Sequence, residues 1–108
     1  MGVITPNSEC HPMTDYIFLM HNDVTSVGGF DWEPYIAKLQ EGGHFNGGSA
    51  VGAGECVNKF GAAPKVSSHL TGYIRVQAAD LGQAKMLLDG NPVFEAGGTV
   101  EIRELPRG

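Results

Sequence analysis

The chain of 108 residues is poor in cysteine, in positive charge and in long apolar runs. Its two cysteines, Cys10 and Cys56, show no framework spacing. A disulfide scaffold is therefore excluded, a Cys10–Cys56 bridge is not expected, and a reducing compartment is. Only 7 lysines and arginines stand against 12 aspartates and glutamates, a net charge of −5, and no basic cluster occurs. That balance repels phosphate backbones and anionic lipid, so neither nucleic acid nor membrane is an expected partner. No apolar run approaches the ~20 residues that a spanning helix requires. The first residues lack the basic start and apolar stretch of a signal peptide, which makes the cytoplasm the expected location.

Several chemistries are missing as well. His11, His21, His44 and His69 form neither an i, i+4 pair nor a knuckle with the cysteines, so no metal is expected. The glycines between residues 42 and 54 do not lead from a strand into a helix and contain no phosphate-binding signature. Ser49 has no strand-to-helix elbow, which argues against a serine hydrolase. No cofactor is implied.

What is present describes one soluble domain with one core, at 42% hydrophobic and 18% charged residues. Residues 1–12 carry two prolines and no periodicity and are read as a flexible N-terminal arm. Met13 begins the domain proper, residues 13–108. Residues 15–20 (DYIFLM) form a short apolar run expected to be a strand buried on both faces. Gly28-Gly29 then breaks the chain. Asp31 is a good N-cap for a helix to about Glu41, with Trp32, Ile36 and Leu39 on one stripe and Tyr35 beside it. Gly42-Gly43 supplies its left-handed stop. Residues 45–51 read as a strand thinned by glycine, where a bulge or the close approach of a ligand is expected. A small hairpin pairing residues 55–59 with 65–67 is the reading for the next segment.

The last third is the clearest. Residues 72–78 (GYIRVQA) alternate, with Ile74, Val76 and Ala78 on one face and Tyr73, Arg75 and Gln77 on the other. Asp80 and Gln83 make a capping box for a second helix with the stripe Leu81, Ala84, Leu87 and Leu88. Gly90 and Asn91-Pro92 stop it in a turn, and residues 99–105 alternate again. The order β-α-β-β-α-β is that of an α+β, ferredoxin-like fold: a four-stranded antiparallel sheet with both helices on one face. The uncovered face would carry Tyr73, Arg75, Gln77, Glu101 and Arg103. It is either a solvated sheet face or the wall of a cavity closed by a second copy.

On the strand 16–20, the stretch GHFNGGS at 43–49 and residues 70–105 (LTGYIRVQAADLGQAKMLLDGNPVFEAGGTVEIREL), the chain resembles the YCII-related family, which overlaps the group named for a DGPF motif. The resemblance covers residues 13–108 and implies a homodimeric α/β barrel. Its architecture is similar to that of muconolactone isomerases and small barrel monooxygenases. In some members it implies lyase-like chemistry on small cyclic compounds by a His–Asp pair. Two features depart from the pattern: residues 60–64 read FGAAP in place of DGPF, and the first helix has no histidine.

The candidate acid–base couple is His21 with Asp23, since imidazole exchanges protons near neutrality and a carboxylate can orient its ring. An i, i+2 spacing places both on one side if the chain stays extended; otherwise Asp23 serves local backbone N–H groups. Arg75 and Arg103, with Glu101, Tyr73, Ser49 and His69, are the candidate substrate-binding residues. Two arginines against one glutamate leave a surplus cation for a small carboxylate or phenolate. Two functions are compatible with these residues. One is a cofactor-independent lyase or isomerase acting on a small anionic ring compound. The other is a non-catalytic ligand-binding or accessory protein.

Overall fold

The computed structural model describes residues 13–25 and 31–106. The expected N-terminal arm, Cys10, His11 and the Gly28-Gly29 break lie outside them. The elements run β1 (Thr14–His21), α1 (Trp32–Glu41), β2 (Phe45–Ala50), β3 (Leu70–Ala78), α2 (Leu81–Met86), α3 (Pro92–Glu95) and β4 (Val100–Leu105). The strands form one sheet in the order β2-β3-β1-β4, and every neighbouring pair is antiparallel. This α+β architecture is compatible with a ferredoxin-like arrangement. No helix among the described residues is long and apolar enough to cross a membrane.

The period-2 pattern sorts the sheet into two faces. Tyr16, Phe18 and Met20 of β1 and Ile74, Val76 and Ala78 of β3 point into one core with Tyr35, Leu39, Ala84, Leu88 and Val93. β1 is not buried on both faces as its apolar run suggests. Ile17 and Leu19 alternate with the core residues and are only half-buried, because the helices cover one side of the sheet alone.

Tyr35 and Leu39, one turn apart, anchor α1 to the sheet, while Trp32 sits at the rim. Asp31 has the extended backbone of an N-cap, but its side chain makes no cap hydrogen bond. Gly43, at φ 75°, turns the chain out of the helix. The Asp80 cap does form: its Oδ1 accepts from Gln83 N at 2.8 Å, and the Gln83 side chain accepts from Ala79 N at 2.7 Å.

The turn expected around Asn91-Pro92 is a short helix instead. Asn91 Oδ1 accepts from the N–H groups of Val93 (3.0 Å) and Phe94 (3.1 Å), with Pro92 in the first turn. Asn-Pro is thus a helix start rather than only a stop, since Asn caps and Pro needs no intrahelical acceptor there. The hairpin expected within residues 51–69 is absent. That segment has no strand or helix, only a turn at residues 59–60, where Phe60 N donates to Asn58 Oδ1, and bends at residues 61 and 69. Its glycines and its exposed Val57 and Phe60 give no alternating face to bury. Cys56 is a free, half-buried thiol.

Candidate functional site

Directly opposed residues in an antiparallel sheet share a face. Leu19 stands opposite Tyr73 on one side and Glu101 on the other, and Ile17 stands opposite Arg75 and Arg103. Tyr73, Arg75, Glu101 and Arg103 therefore surround two apolar side chains on the face the helices leave open.

At one end of this face His21 Nε2 lies 3.2 Å from Glu101 Oε1, and Arg103 Nη1 donates to Glu101 Oε2 at 3.2 Å. His21 is half-buried, and the His69 ring meets its edge with centroids 4.9 Å apart. Hydrogen bonds from His21 and then from Arg103 hold the Glu101 carboxyl below its ordinary value. Glu101 is thus an anion whose two oxygens are both occupied, which fixes the imidazole tautomer: Nε2 donates and Nδ1 is left as the basic nitrogen.

Asp23 is placed elsewhere. Its Oδ1 accepts from Thr99 N at 2.8 Å and its Oδ2 from Thr99 Oγ1 at 2.6 Å, and these bonds lower its pKa. β1 ends at His21 and the chain bends at Asn22, so the extended geometry that would pair His21 with Asp23 is lost. Asp23 instead ties the start of β4 to the end of β1, where His21 N also donates to Thr99 O at 2.9 Å.

The other candidates separate. Arg75 has no carboxylate partner among the described residues, and its guanidinium lies against Gly47, where a Cβ would come within 3.4 Å of Nη2. His69 is exposed, and its carbonyl accepts from Asn22 N at 2.8 Å. Ser49 pairs with Tyr73 across β2 and β3 and donates its hydroxyl to Ala50 O. His44 is structural: its Nδ1 donates to Gln77 O at 2.7 Å, joining the start of β2 to β3.

A cleft of about 460 Å³ opens on the other side of the sheet, between the β2–β3 end and α1 and α3. Of the candidates, only Ser49 and Tyr73 border it, with their side chains turned to the open face by register; His21, Glu101, Arg75 and Arg103 do not. Sequence reasoning missed Trp32 and Ile36 as cleft residues and Glu101 as the partner of His21. Glu101 carries the right chemistry, but nothing local joins it to a residue 80 positions away. Among the described residues, no three His, Cys, Asp or Glu side chains come together as a metal site. No family model matches the chain, and no curated protein matches it significantly.

Proposed function

We propose that the chain is a small cofactor-independent lyase or isomerase of the YCII-like kind, acting on a small anionic ring compound by general acid–base chemistry. The observation that carries this reading is the chain of contacts from His21 Nε2 to Glu101 to Arg103 on the uncovered sheet face. His21 Nδ1 takes a proton from an acidic carbon of the substrate; the electron pair either shifts the adjacent double bond, with the proton returned two carbons away, or expels a leaving group from the adjacent carbon, which takes the proton. Glu101 stabilises the imidazolium formed in between, and Arg103 keeps Glu101 ionised. Arg75, with no carboxylate partner among the described residues, supplies the cation for the substrate anion. Asp23 serves this arrangement by fixing the strand that bears Glu101.

A second copy of the chain covers this face in the same proposal, giving a homodimer in the cytoplasm. Ile17 and Leu19 supply the apolar contact and the ring of charged residues encloses the substrate. A specific observation favours the alternative of a non-catalytic binding protein: the 460 Å³ cleft holds none of the acid–base residues.

The deciding experiment is a thermal-shift screen against small carboxylates, phenols and lactones, run on wild type, H21A and R75A, followed by turnover assays on the hits. A bound ligand raises the midpoint by RT ln(1 + [L]/Kd). Ligands that bind wild type but not R75A, and are turned over by wild type but not H21A, support the lyase reading. Hits indifferent to both substitutions, with no turnover, support the binding protein.

A further inference from the structure

The cleft on the helix-covered side exists because side chains are missing where the sheet would normally fill it. Register places Gly48 opposite Ile74, Ala50 opposite Gly72, and Gly72 opposite Met20. Ile74 and Met20 belong to the core, so Gly48, Ala50 and Gly72 face the helices too. Two of these have a backbone reason for being small. A Cβ on Gly48 would meet Tyr73 O at 2.6 Å, and one on Gly72 would meet Ser49 O at 3.1 Å. Ala50 is exposed, yet it too contributes only a methyl group. Above this bare floor stand Trp32 and Ile36 of α1 and Val93 of α3. Protein interiors close-pack and leave few voids larger than a water. A gap of about 460 Å³ lies within the range that holds a small organic molecule.

The lining decides the chemistry. Its side chains are those of Met20, Trp32, Ile36, Phe45, Ile74 and Val93, while register turns those of Ser49, Thr71 and Tyr73 to the opposite face, and no charged residue lines it. An ionised ligand would lose its hydration here with no counter-charge in return. The geometry points to a second ligand site that takes a neutral, largely apolar ring compound. It is independent of the acid–base group on the open face, because the two lie on opposite sides of the sheet and share none of the four residues His21, Glu101, Arg75 and Arg103.

Trp32 is the chain's only tryptophan and lines the cleft, so its fluorescence reports occupancy directly. The probes are decahydronaphthol, a neutral transparent bicyclic alcohol, and decahydronaphthoate, its anionic counterpart. Decahydronaphthol is expected to change Trp32 emission saturably, and decahydronaphthoate to bind at least about tenfold more weakly. A50F, which fills the cleft from its floor, is expected to weaken decahydronaphthol by about tenfold or more, with A50L intermediate. Ala50 is exposed on an edge strand, and circular dichroism of both variants checks that the fold is kept. H21A and R75A are expected to bind the alcohol as wild type does, which separates this site from the proposed lyase site. The inference is overturned if emission does not saturate up to the solubility limit. It is equally overturned if folded A50F and A50L bind like wild type, or if the carboxylate binds as well as the alcohol.

Discussion

His21 Nε2 and Glu101 Oε1 meet at 3.2 Å across the β1–β4 pair, diagonal neighbours 80 residues apart in the chain. Glu101 stands directly opposite Leu19, and the His21 amide bonds to Thr99 O, so the two side chains are offset by one step on the same face. A pair of this kind can orient an imidazole only while the register holds. Under the proposed function, H21A is expected to lower turnover by about 10²–10⁴-fold. E101Q keeps the shape but removes the charge, and is expected to lower kcat with little change in KM. A pH–rate profile distinguishes this role from a merely structural one: E101Q should shift the limb belonging to the base, whereas a folding defect would scale the whole profile.

The two lowered carboxyls make acid stability predictable in sign. Asp23 and Glu101 both have folded pKa values below the ordinary ones, 3.8 and 4.5 respectively. Each stabilises the fold fully above its ordinary value, and that contribution disappears as pH falls through the lowered value. Wild type is therefore expected to lose more stability than D23N or E101Q between about pH 5 and pH 2. Urea midpoints measured across that range provide the check, and parallel curves for all three proteins would contradict the assignment.

Tyr35 joins α1 to the turn after α2. Its hydroxyl donates to Leu87 O at 2.7 Å, and burial pushes its pKa up to about 12, with the Asn91 side chain acting in the opposite direction. Y35F removes this bond and leaves a part-buried carbonyl without its donor, at an expected cost of about 1 kcal/mol. A raised folded pKa gives stability that is complete below the ordinary value of 10.0 and is lost as pH rises toward 12. The alkaline decline of wild type is expected to be steeper than that of Y35F, as thermal unfolding in alkaline buffer would measure.

Asn91 is fully buried, and its Oδ1 caps α3. N91A leaves the N–H groups of Val93 and Phe94 without their acceptor, and a loss of about 1–2 kcal/mol is expected. Hydrogen exchange should rise first at those two amides. Unchanged protection there would mean that the cap is not what holds the segment.

Leu19 and Ile17 are the apolar centre of the uncovered sheet face. L19K places a charge there, and in the proposed homodimer it is expected to shift the species in analytical ultracentrifugation from dimer to monomer. In an isolated chain the same change on a half-exposed position should cost little. A wild type that sediments as a monomer would remove the dimer from the proposal.

Local chemistry was legible in the sequence where a hydrogen bond or a hydrophobic period spans only a few residues. The alternation in residues 72–78 set the core face of β3, the Asp80–Gln83 box set the start of α2, and Gly43 ended α1. The same local signals misled where context ruled. Asn91-Pro92 read as a stop but starts a helix, and the apolar run of β1 read as buried twice although the helices cover one face. The partner of His21 was decided by tertiary structure alone. Asp23 is nearer in sequence, yet the bend at Asn22 gives it to Thr99, and the β1–β4 register brings Glu101 to the imidazole. The cleft has the same origin, because three small residues become an unfilled volume only when strand register sets them beneath the same helices. Sequence order encodes which groups can bond to near neighbours, while register and packing decide which distant groups meet.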